Sequence, residues 1–223
     1  MVGVETGSPR NEGGRESGGH RSAANVFDWF VIVNLSLFLA ATGSVFLSRF
    51  VHFRGDGHLG EFGIYAVIGI VVVLAVWRTL RRFDWPLWLL AAAEIAILIH
   101  FAGGLIPYQE GRLYDIVLCG IRFDKYVHWA NSFIAALVVS HLTRRGGLAV
   151  VLMVLGLGAL WEIVEYAVVS RIPDAGVGLY DNNLRDLVAN FAGGLTWWLT
   201  SAVVDALRRS VPGRTEGGRG GEV

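Results

Sequence analysis

The chain has 223 residues, 53% of them hydrophobic, and its 19 basic and 19 acidic side chains leave no net charge. Mean hydropathy is +0.50, which excludes an ordinary soluble domain and points to a protein that crosses a membrane several times. Balanced charge indicates no nucleic-acid partner, and the single cysteine, Cys119, excludes an intrachain disulfide and any zinc-finger spacing.

Residues 1–24 are rich in Gly, Ser, Arg and Glu. Such a stretch has too little apolar surface to order itself, so a disordered tail is expected there and again over 209–223. Between them, residues 25–208 contain six apolar runs long enough to span a bilayer, which takes about 20 residues. They lie near 27–47, 62–80, 85–105, 124–142, 148–170 and 184–207. The first is too long for a signal-peptide core and no small-x-small cleavage site follows it, so it reads as a retained span. The expected fold class is all-α: a polytopic membrane protein forming a six-helix transmembrane bundle. Gly156, Gly158, Gly193 and Gly194 suit close helix packing in lipid. Trp197 and Trp198 read as packing residues, and Cys119 as a packed or interfacial thiol. His141 and Asp205 fall at helix ends, where solvation accounts for them. Glu94, in the third run, lies about 120° around the helix from His100 at ideal pitch and is expected to bond a neighbouring helix.

Basic residues set the orientation. With both termini cytoplasmic, 12 of the 19 basic residues fall inside and seven outside. Arg78, Arg81 and Arg82, and then Arg144 and Arg145, carry most information because they sit at very short loops. This topology brings the ionisable residues of the last three runs to one depth, near the outer surface. His100 lies in the outer third of the third run.

Residues three and four apart share a helix face. Asp124, His128, Asn131 and Ala135 form one stripe. Gly158, Glu162 and Glu165 form a second, with Tyr166 beside Glu162, and Asn183, Asp186, Asn190 and Gly193 or Gly194 form a third. Ionisable groups at membrane depth are expensive and default to function. Two carboxylates one turn apart, Glu162 and Glu165, cannot both stay ionised cheaply in a low-dielectric site. Either a proton or a cation is shared. Asp124, His128, Glu162, Glu165 and Asp186 are therefore the expected ligands of one divalent metal ion, able to activate a water. Without metal, Glu162, Glu165 and His128 form acid–base machinery. Asn190, Asn131, Tyr166 and His100 would support the site, and residues 171–180 would cover it. Blander accounts exist for single members: Asn183 with Asp186 as a helix cap and its N3 carboxylate, Asp124 paired with Lys125 or Arg122, and His128 as an interfacial histidine.

Three strings carry a resemblance: Phe123-Asp-Lys-Tyr-Val-His128-Trp, Trp161-Glu-Ile-Val-Glu-Tyr166, and the segment from Asp181 through Asp186 and Asn190 to Gly194. In this order they resemble the VanZ-like superfamily, and within it the YjdF-type inner-membrane proteins. The likeness covers roughly the C-terminal half. It implies a helical bundle in the bacterial cytoplasmic membrane and no particular reaction. The expectation for function is metal-dependent or acid–base chemistry on a lipid or cell-envelope substrate. The alternative is a non-enzymatic binder or proton-coupled transporter using the same carboxylates.

Overall fold

The structure is a computed structural model that describes residues 19–169 and 180–210, without the side chains of 19–25, 53, 165, 167–169 and 180. The chain is an all-α polytopic membrane protein. Helix α1 (Gly19–Ala41) runs through a five-residue π-helical stretch, Thr42–Phe46, into α2 (Leu47–Arg54). Helices α3 (Leu59–Leu80) and α4 (Leu87–Leu105) follow, then α5 (Phe123–Thr143), α6 (Leu148–Val169) and α7 (Tyr180–Ser210).

Val26–His52, Asp56–Leu80, Leu87–Leu105 and Asp181–Ser210 are each long and apolar enough to cross a membrane. Phe123–Thr143 and Leu148–Val164 reach that standard only as a pair, bent by 120° at the break between them. The described residues thus provide four candidate spans, or five when the bent pair is one span. The sixth expected from sequence requires α5 and α6 to cross separately. The break itself is turn chemistry: Arg144 and Gly147 both take positive φ, 53° and 65°, a conformation that glycine accepts freely.

Two apolar layers fasten the helices at the end where α4 begins and α5 finishes. In one, Phe27, Trp85, Leu89 and Leu90 are buried together, and Phe27 stacks on Trp85 at 5.0 Å between ring centroids. In the other, Ala136, Val150, Val154 and Trp197 join α5, α6 and α7. Trp197 and the partly buried Trp198 are packing residues, as their positions in the sequence suggested. Helix α3 has no buried residue. It is tied on by its flank, through Trp77 Nε1 donating to Asp28 at 2.7 Å and Phe38 packed close over Gly69. Glu94 accepts from Asn34 Nδ2 of α1 at 2.7 Å, the interhelical bond expected of it.

Between α4 and α5 the chain builds something the hydropathy pattern does not announce. Two short antiparallel ribbons, β1 (Pro107–Tyr108) with β2 (Gly111–Arg112) and β3 (Val117–Leu118) with β4 (Ile121–Arg122), flank a single 3-10 turn. The second ribbon reverses at Cys119 and Gly120, with φ of 52° and 79°. Two successive positive-φ residues match the twist of flanking strands in a two-residue hairpin. Cys119 is consequently exposed, which rules out the packed half of its packed-or-interfacial expectation. Asp115 ties the loop together, accepting from the Arg112 backbone at 2.9 Å and from Arg122 Nη2 at 2.6 Å.

Candidate functional site

Helix α5 contributes the first part. Asp124 and Lys125 are both buried at its first turn, although neighbours in sequence normally face apart on a helix, because α7 covers this end of α5 closely. Lys125 Nζ donates to Asp124 Oδ2 at 2.9 Å, Asp186 Oδ1 at 2.6 Å and Asn182 Oδ1 at 2.8 Å, with the Asn182 carbonyl oxygen at 3.5 Å. Asp186, 1% exposed, takes a further bond on Oδ2 from Asn182 Nδ2 at 2.6 Å. One turn along α5, His128 Nε2 lies 3.4 Å from Asp186 Oδ1, and its Nδ1 lies 3.9 Å from Glu162 Oε1 of α6. The imidazole thus spans two buried carboxylates from two other helices. Ligand atoms of His128, Glu162 and Asp186 all lie within 4.8 Å of one another, an arrangement able to hold a metal ion.

Below this cluster the three helices continue as graded stripes. On α5 Asp124, Ser132 and Ala136 are buried, while His128, Asn131 and Ala135 are partly buried. Ser132 Oγ donates to Asn190 Oδ1 of α7 at 2.8 Å. Asn190 in turn fills the space over Gly158 of α6, where a Cβ would stand 2.6 Å from its Nδ2. At Gly193 a Cβ would meet the Trp129 carbonyl oxygen, so the absence of a side chain lets α5 and α7 approach backbone to backbone. Deeper still comes the dry layer of Ala136, Val150, Val154 and Trp197.

The remaining expected members divide. Asp124 is drawn to Lys125, with Arg122 Nε at 3.9 Å, and stands outside the group that could hold an ion, so the ion-pair account of it fits better than the ligand account. Asn183 is not a helix cap, since α7 begins at Tyr180; its Nδ2 approaches the Glu162 carbonyl oxygen at 3.5 Å. Tyr166 is 65% exposed and faces away from the cluster. His100 sits on α4, where its Nδ1 and carbonyl oxygen each lie 2.8 Å from the Tyr114 hydroxyl, and its ring meets Trp161 edge-on at 6.0 Å. It ties the ribbon loop to α4 through Tyr114 and touches α6 through Trp161. The side chain of Glu165 and residues 171–179 lie outside the described residues, as does the side chain of Tyr180. Sequence reasoning passed over Asn182 and Ser132, and took Lys125 only as an ion-pair partner of Asp124. The signal for Lys125 was available: it is the only lysine beside 18 arginines.

Fold and cluster together define a polytopic helical membrane protein with a buried His/Glu/Asp group at one end of its last three helices. Residues 33–206 match the predicted membrane protein family DUF2238, and the chain belongs to that family. No curated protein matches the chain. No solved structure matches it either.

Proposed function

We propose that this is a six-span protein of the bacterial cytoplasmic membrane, with both termini cytoplasmic, whose outer end holds one divalent ion between His128, Glu162 and Asp186 for chemistry on a lipid or cell-envelope substrate. One observation carries the reading: one ligand atom from each of His128, Glu162 and Asp186, on three helices, lies within 4.8 Å of the other two, with His128 Nε2 3.4 Å from Asp186 Oδ1. Direct charge-assisted hydrogen bonds would close to about 2.7–2.9 Å. The wider spacing suits a guest cation, since His nitrogen and carboxylate oxygen are the donors that borderline divalent ions take, at about 2.0–2.2 Å each for zinc.

Charge supports the same reading. Three buried carboxylates, Asp124, Glu162 and Asp186, gather around one lysine, and a divalent ion would add positive charge among them. The ion would supply Lewis-acid polarisation of a substrate oxygen. The chain's own groups do the rest: His128 and Glu162 hold or pass protons, Asn182 and Lys125 fix the orientation of Asp186, and the dry layer beneath excludes water. That layer also favours chemistry at one end over a polar path through the bundle, as a proton-coupled transporter would need. The order of the three motifs supports a VanZ-like, YjdF-type relationship for the C-terminal half.

The test is thermal melting of the detergent-purified protein with chelator or with added Zn²⁺ or Mn²⁺. Binding to the folded state raises stability by mass action. Wild type should gain stability from an added ion and lose it to chelator, and Glu162→Gln and His128→Ala should lose both responses. A wild-type protein indifferent to chelator and to each ion overturns the metal reading and leaves the His128 bridge as proton-sharing machinery.

A further inference from the structure

We infer that Lys125 is a built-in second cation, and that the cluster is a two-cation centre in which Asp186 bridges an exchangeable divalent ion and a fixed ammonium. This rests on the metal reading above and goes beyond it by assigning Lys125 a role as a positioning residue that limits the centre to one ion.

The geometry is specific. Asp186 Oδ1 is the shared atom, 2.6 Å from Lys125 Nζ and 3.4 Å from His128 Nε2. On its far side, Nζ is surrounded by oxygen alone: Asp124 Oδ2, Asn182 Oδ1, the Asn182 carbonyl oxygen and Asp186 Oδ1. Two carboxylates, an amide and a backbone carbonyl are the donor set that hard divalent ions take. An ammonium offers three donors and no acceptor, so it satisfies the same shell with one positive charge and cannot leave. The side chain of Lys125 is 10% exposed and that of Asp186 is 1% exposed, so bulk water does not substitute for it. Arginine supplies every other basic position in the chain. Its planar fork fits this point-like shell less closely than an ammonium, which favours lysine here, while its fixed charge would still repel a second divalent ion.

Removing the ammonium should therefore open a second ion site, not merely weaken the fold. The full-length protein is purified in detergent, equilibrated with Mn²⁺ as the probe and freed of unbound ion, and manganese per chain is measured. Wild type should hold one ion, Lys125→Arg one, and Lys125→Ala two, a doubling accompanied by the paramagnetic spectrum of coupled ions. Because Lys125→Ala leaves buried carboxylates without their cation, its recovery and melting are compared with and without Mn²⁺, and stability should return with the ion. If wild type holds one ion while Lys125→Ala holds one or none, the inference falls and the single-ion reading stands. Two ions in Lys125→Arg, or a Lys125→Ala protein that Mn²⁺ does not restore, overturn it equally. Wild type holding none removes the metal reading itself.

Discussion

Asp186→Asn is the substitution whose consequence the structure defines most sharply. The carboxylate is 1% exposed and sits between Lys125 Nζ at 2.6 Å, Asn182 Nδ2 at 2.6 Å and His128 Nε2 at 3.4 Å. Asparagine keeps the shape and removes the charge, leaving Lys125, among the described residues, with Asp124 as its only close anionic partner. Removing one partner of a buried ion pair costs about 3–5 kcal/mol, most of it the penalty on the charge left behind. For a chain of this size each kcal/mol moves the melting temperature by about 2–4 °C, so a fall of roughly 6–20 °C is expected. The control is Asp181→Asn. Asp181 pairs with Arg185 at 3.2 Å, but their side chains are 78% and 68% exposed, and surface pairs contribute about 0–1 kcal/mol. Melting of both variants in one detergent, in the presence of chelator, separates the ion pair from any effect of bound metal. An Asp186→Asn protein that melts no lower than Asp181→Asn would refute the buried-cage account of Lys125.

Gly193→Ala should lower stability by about 1–3 kcal/mol through overpacking, because its Cβ meets the Trp129 carbonyl oxygen, whereas Gly156→Ala, with nothing within 4 Å, should be neutral or slightly stabilising; equal melting of the two would count against the α5–α7 contact. Cys119 is exposed at the hairpin turn, so a membrane-impermeant maleimide should label intact cells, and labelling only after permeabilisation would reverse the proposed orientation. Asn34→Leu should cost about 1–3 kcal/mol by depriving Glu94 of its donor, while Glu94→Gln should cost less; the opposite order in melting would show that Glu94 has another role.

The shared depth of the polar residues was legible because a helix rises at a fixed rate, so runs of known direction convert residue number into depth. Face was harder. His128, Glu162 and Asp186 share one, but on α5 the buried positions beyond are Ser132 and Ala136, because successive steps of four drift about 40° each and follow the contact with Asn190 and Trp197 of α7. Tyr166, four residues beyond Glu162, faces away at 65% exposed. The pairing of Lys125 with Asp124 was expected, but its burial against Asp186 and Asn182 was hidden by a sound rule, that adjacent residues diverge, which fails where one helix end is enclosed. The ribbons at 107–122 leave almost no periodic signal, since each strand is two residues long. Span number depends on α5, whose first turns carry the very polar residues that define the cluster and lower its hydropathy.

An apolar layer of Ala136, Val150, Val154 and Trp197 lies on one side of the cluster. On the proposed reading, protons and ions exchanging with His128, Glu162 and Asp186 would come from the end opposite this layer. The occupancy of the cluster would then report the acidity and ion content of that one compartment, indifferent to homeostasis across the membrane. Enlarging the seal with a polar side chain at Ala136 would couple two reservoirs that the native packing keeps thermodynamically separate.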